Sequence, residues 1–160
     1  MQTYTHIDTN HTDSAPVKIR SLAHIGIRIR NFDRSVIFYR QFGFHVRRDD
    51  PQERIVVLKH ESGLELNLLD SVAEDGSREN VLMDHPQRHP GYTHMALRVD
   101  DVHQAREQVE RLGITLTEGP VTFGDGSTSI FFRDPDRNVI ELAQADGGVH
   151  RSRLQGVTEQ

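Results

Sequence analysis

The chain has 160 residues, 35% of them hydrophobic, with 19 basic against 24 acidic side chains and no cysteine. That length makes one domain or two tightly packed half-domains, and it leaves no room for two independent ones. Balanced charge argues against nucleic acid or a membrane surface as partner, no apolar run approaches the ~20 residues of a membrane span, and the lack of cysteine removes disulfides and thiolate chemistry and fits a cytoplasmic protein that meets a small molecule.

Residues 1–18 are polar, carry neither periodicity nor a basic-then-apolar secretory layout, and read as a flexible tail. A first strand is predicted over residues 22–30. Asn31 or Asp33 then caps a helix whose Val36, Phe38, Tyr39 and Phe42 fall at helical spacing, and Gly43 stops it. Strands follow over 44–48, 55–60 and 64–69, the last two joined at Glu61-Ser62-Gly63. Residues 71–90, rich in charge and containing Pro86 and Pro90, form a linker or a lid. The order then recurs: a strand over 93–99, a helix over 101–112 with Val109 and Leu112 facing the core, a stop at Gly113, and strands near 115–117, 127–133 and 139–144. Residues 147–160 are a second polar tail, so one domain spans 19–146, as modules 19–70 and 91–146 around the linker.

This recurrence is an internal repeat. His24-Ile25-Gly26-Ile27-Arg28 returns seventy residues later as His94-Met95-Ala96-Leu97-Arg98. Alternate residues of a strand share a face, so each copy carries His, a small residue and Arg on one side and apolar residues on the other. The predicted class is α+β: two βαβββ modules in tandem, with curved mixed sheets set edge to edge around a cleft.

The last strand of each copy adds a carboxylate to that polar face. Leu64, Leu66 and Leu68 point toward the helix and Glu65 and Asn67 toward the cleft; Ile140 and Leu142 likewise flank Glu141. His24, Glu65, His94 and Glu141 thus form a candidate set of two imidazoles and two carboxylates, suited to a divalent first-row metal with positions left open. The donor types admit Ni, Co, Mn, Fe or Zn. His85 and His89, in the linker, read as solvated loop residues.

The order of these four residues, together with Arg133-Asp134-Pro135-Asp136 ahead of Val139-Ile140-Glu141-Leu142, resembles the vicinal oxygen chelate superfamily of glyoxalases, extradiol dioxygenases and bleomycin-resistance proteins. The likeness runs over residues 19–145. It implies a metal in the cleft, usually a homodimer in which facing modules can come from different chains, and a substrate that chelates the metal through two adjacent oxygens. The glyoxalase-I-like form implies a lyase or isomerase working through an enediolate, with Glu141 as base, Glu65 returning the proton, and Arg28, Asn67 and Arg98 contacting substrate. Arg28 matches the position at which glyoxalase I holds glutathione, whereas Leu69 stands where that family carries Asn, which argues against glutathione as the thiol. The alternatives are an Fe(II) extradiol dioxygenase using His24, His94 and Glu141, and a non-enzymatic module of the bleomycin-binding type.

Overall fold

The computed structural model describes residues 17–71 and 79–146; residues 1–16 and 147–160 of the expected tails, and 72–78 of the expected linker, lie outside the described residues. Its elements run β1 (Ile25–Ile29), α1 (Phe32–Arg40), β2 (His45–Asp50), β3 (Ile55–Lys59) and β4 (Glu65–Asp70), then β5 (His94–Arg98), α2 (Val102–Arg111), β6 (Leu116–Thr122), β7 (Thr128–Arg133) and β8 (Val139–Gln144). Two four-stranded mixed sheets result, ordered β1-β4-β3-β2 and β5-β8-β7-β6, with β1–β4 and β5–β8 parallel. This is the expected class.

Local chemistry sets the boundaries. Asn31 and Asp101 cap the helices by accepting from the backbone N–H of Arg34 and of His103 and Gln104, which satisfies donors the first turn leaves free. Gly43 and Gly113 follow the helices at φ 83° and 75°, a left-handed turn that costs glycine little. The strand expected near 115–117 is longer, because its ladder shifts register twice and so continues past Gly119-Pro120.

Both helix-side strand faces feed one core. Ile27, Ile29, Leu66 and Leu68 of the first sheet join Ile130, Phe132, Ile140 and Leu142 of the second, around Phe38 and Tyr39 of α1 and Val102, Ala105 and Val109 of α2. Phe42 stacks on Phe132 at 5.4 Å, so α1 reaches across to the second module. Leu112, expected in the core, is 41% exposed: it is the C-cap of α2 and lies beyond the helix's buried stripe. The copies therefore meet largely through their helix-bearing faces. A chain of this size closes its apolar surface more completely in one core than in two, and Gly26 and Arg28 on β1 and His94, Ala96 and Arg98 on β5 stay exposed.

Polar clasps lock this arrangement. Asp136, in the β7–β8 turn, accepts from the Arg30 backbone N–H, the Arg34 guanidinium at 2.8 Å and the Ser35 hydroxyl. Asp134 accepts the Tyr39 hydroxyl at 2.8 Å. Burial pushes the Tyr39 phenol and the Asp134 carboxyl up from their ordinary values. The Arg133-Asp134-Pro135-Asp136 motif thus ties the second module to α1. The described end of the linker is held too, because Asp84 binds Arg133 at 3.1 Å and Arg137 at 2.7 Å. No helix among the described residues is long and apolar enough to cross a membrane.

Candidate metal centre

Two of the four expected ligands meet directly. His94 Nε2 lies 2.9 Å from Glu141 Oε2, across the parallel β5–β8 pair. Nearby side chains hold both: the Ser129 hydroxyl donates to Glu141 Oε1 at 2.6 Å from the next strand, Thr93 Oγ1, one residue along the chain, lies 2.9 Å from His94 Nδ1, and the Phe131 ring stands edge-on to the imidazole. Hydrogen bonding at one ring nitrogen orients the other as a ligand. Ser129 and Thr93 are absent from the sequence-based set, and only the β7–β8 register brings Ser129 to the carboxylate.

The first module is arranged differently. Gly26 pairs with Asn67 on β4, so His24, just before β1, stands beside Glu65. In the second module Ala96 pairs with Glu141, and His94 stands beside Val139. The hairpins agree, since Lys59 opposes Glu65 as Arg133 opposes Val139, and Val57 opposes Asn67 as Phe131 opposes Glu141. Glu65 and Glu141 share the polar face, as expected, but not the register: the counterpart of Glu141 is Asn67. Glu65 instead meets Lys59 Nζ at 3.5 Å. Asn67 Oδ1 is buried and has no hydrogen-bond partner.

Of the expected substrate contacts, Arg28 donates to the Asp70 backbone carbonyl at 2.9 Å, and Arg98 is exposed on β5. His85 and His89 lie against each other, ring centroids 5.1 Å apart. His24 and His94 both border a cavity of about 530 Å³ between the starts of β1 and β5, whose wall also includes Tyr39, Asn80 and Asn138. Among the described residues, however, no three His, Asp or Glu side chains come together as a metal-holding group. The donor set still fits a divalent ion, because an oriented imidazole converges with a carboxylate and an orphaned amide oxygen sits on the matching strand.

Tandem βαβββ modules with imidazole and carboxylate on their strand faces define the vicinal oxygen chelate class. Residues 21–142 match the Glyoxalase/Bleomycin resistance protein/Dioxygenase superfamily, and the chain belongs to it. It is 31% identical over 131 residues to lactoylglutathione lyase of Haemophilus influenzae, covering 77% of this chain and 91% of that one. It is 27% identical over 136 residues to the glyoxalase domain-containing protein RDO1 of Mycosarcoma maydis, covering 79% and 69%. A solved glyoxalase family protein from Enterococcus faecalis superimposes with a TM-score of 0.65 at 24% identity, over 78% of this chain and 97% of that one.

Proposed function

We propose that this protein is a cytoplasmic, metal-dependent lyase or isomerase of the glyoxalase type, acting on a small substrate with two adjacent oxygens. The His94–Glu141 pair, buttressed by the buried Ser129 hydroxyl, is the observation that carries the reading. His24, His94 and Glu141 would hold the ion, with a further oxygen from β4. When bound, a divalent ion supplies Lewis acidity to the substrate oxygens. Glu141 takes the proton as the carbon–hydrogen bond beside them breaks, the electron pair passing toward the oxygens, and the proton is returned to the neighbouring carbon. Ser129 fixes one carboxylate oxygen and leaves the other to face the imidazole and the substrate. Arg28 and Arg98, at the far end of the polar face, suit an anionic or polar substrate tail.

Because no metal-holding group forms among the described residues of one chain, the reading includes a homodimer, in which the first module of one copy faces the second module of the other. An Fe(II) extradiol dioxygenase is the second reading. It is favoured by the register that puts Asn67, not a second carboxylate, at the counterpart of Glu141, leaving two histidines and one carboxylate. Metal-reconstituted protein assayed with methylglyoxal plus several thiols, and with catechols, each with and without oxygen, separates the two. Thiol-dependent, oxygen-independent turnover is expected, and oxygen uptake on a catechol would overturn the lyase reading.

A further inference from the structure

We infer that Asn67, and not Glu65, supplies the first module's oxygen to the metal, an inference that rests on the metal-dependent reading above. Asn67 holds the position on β4 that Glu141 holds on β8, judged both against the parallel partner strand and within the hairpin. Each hairpin closes over five residues, 60–64 and 134–138, so a slip of one pleat is not hidden in a longer turn.

Its environment supports the same assignment. Asn67 Oδ1 is buried without a donor, an arrangement that costs about 1–3 kcal/mol until something fills it. Gly26 on one side has no side chain, and Val57 on the other has nothing to donate. An amide oxygen is a competent ligand for a hard or borderline cation. The Glu65 carboxylate, one pleat away, is engaged by Lys59 at 3.5 Å. The resulting set is two imidazoles, one carboxylate and one neutral amide. Glu141 then both takes the proton and gives it back, with no second carboxylate facing it.

Binding of Ni(II) and Co(II), followed by titration calorimetry and by the visible spectrum of the Co(II) form, tests this without an assay of activity. Asn67→Ala is expected to weaken binding at least about tenfold, since loss of even an outer hydrogen-bond partner costs that much, and to change the Co(II) spectrum. Asn67→Asp should bind at least as tightly as the parent, and Glu65→Gln should keep both the affinity, within about twofold, and the spectrum. Circular dichroism identifies a variant that has lost its fold; if Asn67→Ala has, the Co(II) spectrum of Asn67→Asp decides, and an unchanged spectrum there overturns the inference. A loss with Glu65→Gln equal to or larger than that with Asn67→Ala also overturns it and restores Glu65 as ligand. A parent protein that binds neither ion overturns the metal-dependent reading itself, and this inference with it.

Discussion

Ser129 shows how little of a site can depend on the residues that define it. Its hydroxyl points at the Glu141 carboxylate from the next strand, and a free carboxylate would otherwise sample rotamers in which it faces away from His94. Ser129→Ala is expected to slow turnover about tenfold while metal content stays at the parental level, as befits a partner that aims a ligand; equal turnover would mean that Glu141 needs no guide. Asp84 acts at the same scale through charge. Its hydrogen bond from Arg137, with the Arg133 charge nearby, holds its carboxyl down to about 2. The folded state thus binds that proton less readily than the unfolded chain, so the clamp contributes fully above about pH 4 and fades as pH falls toward 2. Asp84→Asn should lower stability at pH 7 and flatten the dependence between pH 4 and 2, measured by denaturant unfolding at each pH. The strand faces that carry His24, His94 and Glu141 were legible in the sequence because a strand's two-residue period separates its faces. The Asn67–Glu65 question was not legible, because sliding an alternating strand by two residues leaves its pattern unchanged.

At the scale of elements, α1 and the β7–β8 turn form one unit despite lying about a hundred residues apart. Tyr39 is 1% exposed and its hydroxyl is spent on Asp134. Tyr39→Phe keeps the ring and removes the donor, so it should cost about 1–3 kcal/mol; a loss under about 0.5 kcal/mol would mean the carboxyl finds another partner. Phe132 is fully buried between Phe38 and Phe42, and its replacement by Ala should cost about 3–5 kcal/mol in chemical denaturation. Helix spacing revealed which residues of α1 are apolar and narrowed its cap to Asn31 or Asp33, of which Asn31 holds the position; Asp101, expected as the first residue of α2, is its cap. What α1 packs against was not readable. The Asp-Pro-Asp turn looks from sequence like hairpin punctuation, and only long-range pairing turns it into a clasp.

For the whole molecule, the helix-bearing faces of the two modules meet in a single core, which leaves Gly26 and Arg28 of β1 and His94, Ala96 and Arg98 of β5 exposed. A second copy would complete the cleft by placing the face of β1 and β4 opposite the face of β5 and β8. That geometry predicts complementation. His24→Ala and His94→Ala should each abolish metal binding, because every site in either homodimer lacks one imidazole. If the two are unfolded together and refolded as a mixture, about half the dimers are mixed by symmetry. In each mixed dimer one site carries both substitutions and the other carries neither, so bound metal and turnover should return to about a quarter of the parental level. Sites contained within single chains would give no recovery at any mixing ratio, and light scattering would then show whether the protein dimerises through some other face.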